Sequence, residues 1–201
     1  MKTSLTTLVI DTATSYLYVG LFEDKRAIDE VYQKGHNDHS VTLMDAISQL
    51  FEKHSLKAES LNRIVVGIGP GSYTGVRVGV VVAKMLGWSL SIPVYTVSSL
   101  AMMASSQVSG KTLAWIDARR GRGFMGVFET VNAMVKRLED DVYDRVDTIK
   151  SRVEYDQAIE EGKPDFLRLD KSDLLEEVKD IHLLAPIYLR ETEAEIELQK
   201  K

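Results

Sequence analysis

Apolar residues first appear as a short block, Leu8-Val9-Ile10, and then alternate with the other face at Leu17, Val19 and Leu21. Both patterns mark extended chain, because successive side chains of a strand point to opposite faces. Ala27–Tyr32 follows the polar turn Glu23-Asp24-Lys25-Arg26, so three strands in an antiparallel meander are predicted over the first 32 residues. The period then lengthens. Beyond the polar linker Lys34–Asp38, where Asn37 or Asp38 is placed to cap a helix, Val41, Met44, Ile47 and Phe51 fall at helical spacing beside Leu43 and Leu50. A helix over His39–His54 is predicted. Arg63–Ile68 is almost continuously apolar, as a strand buried on both faces should be. Gly69–Tyr73 breaks it, and a helix over Thr74–Leu90, a strand over Pro93–Val97 and a helix over Ser98–Ser106 complete the first half.

That order, βββαβαβ, resembles the core repeat of the ribonuclease-H-like and actin-like ATPase superfamily, which usually carries two such lobes in tandem. Val108-Ser109-Gly110 reads as a boundary. The expected division is an N-terminal actin-like lobe over 1–107 and a smaller, divergent α/β lobe over 108–201. In the second lobe, Thr112–Asp117 and Gly123–Glu129 predict a strand pair around an Arg-rich turn. The charged stretch Glu139–Asp180 has weaker periodicity, with short helices expected near Tyr155–Glu161 and Ser172–Lys179. Pro186–Arg190 is apolar enough to dock back onto a core.

Composition narrows the chemistry. The 201 residues are 44% hydrophobic, which allows a sizeable core, and contain no cysteine, which excludes disulfides and thiolate metal sites. A net charge of −5 gives no overall field favouring nucleic acid. The polar start does not resemble a secretory signal, and the apolar run Val78–Ala83 is far short of the roughly 20 residues of a membrane span. No membrane contact and a cytoplasmic location are expected.

Two loops are candidates for holding an anion. Asp11-Thr12-Ala13-Thr14 ends the first strand and could present a carboxylate and hydroxyls to phosphates, or could be a turn closed on its own backbone. Gly69-Pro70-Gly71-Ser72 joins a buried strand to a helix start, where backbone amides suit an anion or simply position the helix. It lacks the Gly-Lys-Ser/Thr element of a P-loop. A third feature is a stripe of small residues, Gly75, Gly79, Ala83 and Gly87, along one face of the second helix. Glycine inside a helix costs about 1 kcal/mol relative to alanine, so close approach by another element is expected. Val76, Val80, Val81, Met85, Leu86 and Trp88 make the rest of that helix apolar nearly all round, so it should be buried twice. Internal packing and an interface with another subunit are both open, and the interface reading is favoured. Val41, Met44, Ile47 and Phe51 would supply its knobs. The four histidines offer no metal pair, and no catalytic residue is identified. Asp117-Ala118-Arg119-Arg120-Gly121-Arg122 is either a solvated hairpin turn or a contact for phosphate or acidic surface.

Together, Val9–Thr14, Asp38-His39-Ser40, Gly67–Arg77, Pro93-Val94-Tyr95, Asp117-Ala118-Arg119 and Pro186–Arg190 resemble the TsaB (YeaZ) family of the actin-like group. The likeness is nearly continuous over Leu8–Ser106 and patchy beyond. It implies a part in making N6-threonylcarbamoyladenosine in tRNAs that read codons beginning with A. It further implies a non-catalytic subunit partnered by the paralogue TsaD, which holds the metal, with TsaE and ATP serving the complex. A homodimer is expected when TsaD is absent, and tRNA contact only through the complex. The implied interface is the set Val41, Met44, Ile47, Phe51, Gly75, Gly79, Ala83 and Gly87. Asp11, Thr12, Gly69, Gly71 and Ser72 would be a vestigial nucleotide loop, with no cofactor intrinsic to the chain. The alternative is an actin-like ATPase or kinase with its own nucleotide site. A glycoprotease role, once attached to this family, finds no support in these residues. The sequence departs from the family at Arg122-Gly123-Phe124.

Overall fold

The computed structural model describes residues 4–35 and 39–190. Strands β1 (Thr6–Asp11), β2 (Tyr16–Glu23) and β3 (Arg26–Lys34) form the antiparallel meander. Helix α1 (His39–Lys53) follows. β4 (Arg63–Gly67) then pairs parallel with β1, and β5 (Val94–Val97) pairs parallel with β4 after the crossover helix α2 (Tyr73–Leu90). Predicted and observed boundaries for these elements agree within a few residues. Capping of α1 by Asn37 or Asp38 lies outside the described residues.

Alternation fixes what each face of this sheet covers. Leu8, Ile10, Leu17, Val19, Leu21, Ile64 and Val66 point to α1 and α2 and meet Leu43, Leu50, Val76 and Val80. Val9, Tyr18 and Val65 point the other way and meet α3 (Ser99–Ala104) and the second half of the chain. A sheet covered on both faces accounts for the near-continuous apolar runs of β1 and β4.

The second half opens with another meander, β6 (Gly110–Asp117), β7 (Arg122–Val131) and β8 (Met134–Arg145). Helix α4 (Val146–Arg152) leads to β9 (Gln157–Ile159), which pairs parallel with β6. This βββαβ series repeats the start of the first lobe, and the sheet order β8-β7-β6-β9 matches β3-β2-β1-β4. The mixed α/β architecture with two sheets is therefore the two-lobe form of the actin-like group.

Two expectations for this half are corrected. Tyr155–Glu161 is not helical, because its centre is β9. Ser172–Lys179 is not helical either: Glu176 and Glu177 form β10, which pairs with β5 and extends the first sheet to six strands. The helix α5 (Phe166–Leu169) lies just before it, with Phe166 and Leu169 fully buried between the lobes. From β10 onward the chain is back on the first lobe, and residues 181–190 run along α2. Leu184 is buried there, and the Ile187 amide donates to the Ile68 carbonyl at 2.8 Å. The chain thus crosses back over the division expected at 107/108.

Candidate functional site

The loops predicted to hold an anion do converge. Asp11 lies at the end of β1, 4% exposed, and its Oδ1 accepts the Ala13 amide at 2.8 Å and the Ser99 hydroxyl at 3.1 Å. Burial pushes its pKa up to about 6, against the lowering effect of those hydrogen bonds. Thr12 reaches α2. Ser72 caps that helix by accepting the Gly75 amide at 3.2 Å, and its own amide donates to the Ala13 carbonyl at 2.7 Å. The Gly69 amide donates to Ser99 Oγ at 3.1 Å. A Cβ on Gly71 would stand 2.2 Å from the Ala13 carbonyl oxygen, so only glycine allows the two loops to touch. Asp11, Thr12, Gly69, Gly71 and Ser72 are thus brought together, and they spend their polar groups largely on one another.

The space facing Asp11 between the lobes is filled by the chain itself. Tyr16 and Tyr32 stack at 4.5 Å, and the Tyr16 hydroxyl donates to Glu161 at 3.1 Å. Lys163 reaches Glu30 at 2.8 Å, and Glu30 also accepts the Tyr18 hydroxyl at 2.7 Å. Glu161, Gly162 and Pro164 close over Asp11 and Ser99, leaving a cavity of about 10 Å³. That is room for roughly one water molecule.

The small-residue stripe is an internal contact, which corrects the interface assignment for those four positions. Gly75, Gly79, Ala83 and Gly87 are all buried within the chain. A Cβ on Gly75 would lie 2.2 Å from the Thr12 carbonyl oxygen, one on Gly79 2.6 Å from Thr12 Oγ1, and one on Gly87 2.3 Å from Val94. The close approach inferred from the glycines is real, but the approaching elements are the end of β1 and the start of β5. Ile47 and Phe51 are likewise buried in the core under α1, so they are not surface knobs. Met44 is exposed. The side chain of Val41 lies outside the described residues.

The outer face of α2 is the one left open. Trp88 is 66% exposed and Val81 62%, with Tyr73 and Met85 exposed on the same side. Positions 73, 77, 81, 85 and 88 are spaced by four and three, which places them along one face. Residues 181–190 border it. Lys84 donates to the His182 carbonyl at 2.6 Å, and Trp88 meets His182 edge-on at 6.4 Å. Arg77 stacks 3.9 Å over the Tyr73 ring and donates through Nε to the Tyr188 hydroxyl at 2.7 Å. Ile187, Tyr188 and Leu183 extend the apolar surface. The helix was expected to be buried on both sides; within the chain only the glycine side is, and which side held the glycines could not be read from spacing.

The Arg-rich turn is the tip of the β6–β7 hairpin. Arg119 (φ 70°), Arg120 (φ 55°) and Gly121 (φ 71°) are all left-handed, and the Ala118 amide donates to the Arg122 carbonyl at 2.9 Å.

The chain has relatives among known proteins. The family model described as TsaD, tRNA N6-adenosine threonylcarbamoyltransferase, matches residues 31–175. The TsaB protein of Bacillus subtilis, a tRNA threonylcarbamoyladenosine biosynthesis protein, is 33% identical over 98% of this chain and 100% of its own. Its Escherichia coli counterpart is 30% identical over 61% of this chain and 54% of its own. The solved YeaZ structure from Pseudomonas aeruginosa superposes with a TM-score of 0.77 at 22% identity, over 92% of this chain and 100% of that one. With its two-lobe actin-like architecture and a curated relative matched from end to end, the chain belongs to the TsaB (YeaZ) family.

Proposed function

We propose that this chain serves N6-threonylcarbamoyladenosine synthesis in tRNAs that read codons beginning with A, as a non-catalytic subunit that docks a TsaD-type transferase. The observation that carries the reading is the outer face of α2. Tyr73, Val81, Met85 and Trp88 stand exposed on one side of a helix whose other side is already packed. Aromatic and methionine side chains in a contiguous patch, with Arg77 at its margin, match the composition of interface cores. Met44, on helix α1, is exposed as well. When the transferase is absent, the same face pairs with a second copy of the chain. TsaE and ATP act on the assembly, and the chain carries no cofactor of its own.

The filled cleft supports this reading over an actin-like ATPase or kinase. A space of about 10 Å³ beside Asp11 is far too small for a nucleotide. No helix among the described residues is long and apolar enough to cross a membrane.

The test is reconstitution with a TsaD-type transferase, TsaE, ATP and unmodified tRNA. Val81→Asp and Trp88→Ala alter exposed positions, so both should stay folded, with unchanged circular dichroism and melting. Each is expected to weaken association with the transferase at least tenfold and to reduce modification in parallel. Wild-type association by Val81→Asp would remove the face from consideration. Transfer, or sustained ATP hydrolysis, by the chain alone would overturn the non-catalytic role.

A further inference from the structure

We propose that the hairpin end of the second sheet is an RNA-backbone site, where Arg119, Arg120, Arg122 and Arg145 take the phosphates of a strand passing beside Tyr143. The choice of RNA rests on the reading above that the chain works on tRNA.

The argument starts from strand register. β7 and β8 place Arg122 directly opposite Arg145. Like charges in that arrangement destabilise an antiparallel pair unless something neutralises them. Among the described residues, no ion pair joins Arg119, Arg120, Arg122 or Arg145 to a carboxylate. The carboxylates nearest along the strands, Asp117 and Asp144, both pair with Gly123 in the next row. By strand alternation they leave from the opposite face of the sheet. Each accepts a local backbone amide, that of Arg119 at 2.8 Å and that of Arg145 at 2.7 Å. The sheet end is therefore divided, with arginines on one face and carboxylates on the other.

The arginine face also carries an aromatic centre. Tyr143 stands two rows from Arg145, the next position on the same face, backed by Phe124 at 5.3 Å. The guanidinium carbons of Arg122 and Arg190 lie 5.5 and 5.9 Å from the centre of its ring. The Arg122 side chain is exposed beside that ring, and a guanidinium can grip a phosphate in a bidentate fashion. At the hairpin tip, Arg119 and Arg120 both hold positive φ, which non-glycine residues rarely adopt, so two more cations are presented at a backbone cost. Five of the eleven arginines of a chain with net charge −5 gather at this one end. A basic surface interleaved with an aromatic ring is the form that binds the backbone and splayed bases of RNA loops.

The experiment measures binding of an unmodified tRNA transcript to the full chain, alone at low salt and again with the transferase subunit added. Arg122→Ser/Arg145→Ser and, separately, Arg119→Asn/Arg120→Gly are compared with the wild type. Each is expected to lower affinity at least tenfold and to flatten the plot of log K against log salt by about one to two units. Association with the transferase should be unchanged. The tip variant relieves left-handed strain, so a binding loss there cannot be put down to unfolding. Arg122→Lys/Arg145→Lys should keep the wild-type salt slope. Unchanged affinity and slope in both charge-removing pairs would overturn the site. Loss of transferase association with tRNA binding intact would also overturn it, assigning the face to an acidic protein surface. If no modification forms with any version, the assembly reading fails, while the RNA site is still judged on binding alone.

Discussion

Thr12 Oγ1 accepts the Gly79 amide at 3.1 Å and donates to the Gly75 carbonyl at 2.7 Å, so one hydroxyl from the loop after β1 bridges two groups that the helical i→i−4 pattern pairs within α2. This contact explains why the stripe is glycine. It also ties the loop after Asp11 to the helix whose opposite face is exposed.

The first prediction is a coupling between these two residues. In Gly79→Ala the new Cβ would lie 2.6 Å from Thr12 Oγ1. Overpacking of this kind costs about 1–3 kcal/mol, partly offset by about 1 kcal/mol of helix propensity. A Tm lower by about 2–6 °C is expected for a chain of this size. In a Thr12→Ala background the cost of Gly79→Ala should largely vanish. Thermal melts of the two single variants and the double variant give the cycle, and strict additivity would contradict the contact. Gly79→Leu should be strongly destabilised, because the added side chain has no room beside Thr12 and Ile10.

The second prediction concerns pH. Asp11 has a folded pKa of about 6, raised from 3.8. Between about pH 4 and 6 the folded chain holds a proton that the unfolded chain has released, so this group makes stability fall as pH rises through that window. The loss levels off above pH 6 at about 3 kcal/mol. Asp11→Asn keeps the acceptor for Ala13 and should flatten that part of the profile and raise stability at pH 8. Asp29 acts with the opposite sign and elsewhere: Lys53, and then His54, hold its carboxyl well below the usual range. Its contribution is complete above about pH 4 and is lost only in stronger acid. Denaturant titrations at pH 4, 6 and 8 separate the two, and an unchanged profile in Asp11→Asn would refute the assignment.

The third prediction addresses what holds the lobes together. Arg63, on β4, donates through Nε to the Thr7 hydroxyl at 3.1 Å and lies 5.5 Å from the Phe166 ring and 5.7 Å from that of Tyr95. Its NH2 is 2.8 Å from Asp170, an ion pair too oblique to count as a hydrogen bond. With both partners largely covered, Arg63→Ala should cost about 2–4 kcal/mol through the stranded Asp170 and lost packing. Arg63→Ala/Asp170→Ala should recover part of that. Hydrogen exchange would register the loss first between β4 and α5, and equal destabilisation by the single and double variants would argue against the pair.

The fourth prediction tests the cleft closure. A Cβ on Gly162 would stand 2.4 Å from Ser106 Oγ and 2.8 Å from the Met103 carbonyl. Gly162→Ala should therefore lift residues 160–164 from their seat, at about 1–3 kcal/mol. Faster proteolysis at that segment would report it; wild-type protection would show the seat to be looser than its geometry implies.

The first lobe was legible because each of its strands and helices buries a clean face. Leu17, Val19 and Leu21 state a strand, and Val41, Met44, Ile47 and Phe51 state a helix, before any packing is known. β8 was not legible. Its residues, Met134–Arg145, run along the edge of the second sheet, so exposed Lys136, Leu138, Glu139 and Asp140 obscure the alternation. β9 and β10 are three and two residues long, too short for any period, and exist through pairing with β6 and β5. At the site, the sequence disclosed that something must press against Gly75 and Gly79. Nothing in their spacing distinguishes a second subunit from Thr12 of the same chain. Exposure of Val81 and Trp88 emerges only once that side of α2 is known to be filled.

Glu161 on Tyr16 and Lys163 on Glu30 also have a bearing on timing. Where two lobes meet across an open gap, the molecule in the gap decides the angle between them, and the angle changes as that molecule is exchanged. Here Glu161, Gly162 and Pro164 of the chain itself take up the gap, so the angle is settled once, as the protein folds. The outer face of α2 is then shown in a single attitude. On the proposed docking of a transferase there, the partner would meet a component without a clock, and occupancy would follow concentration and affinity.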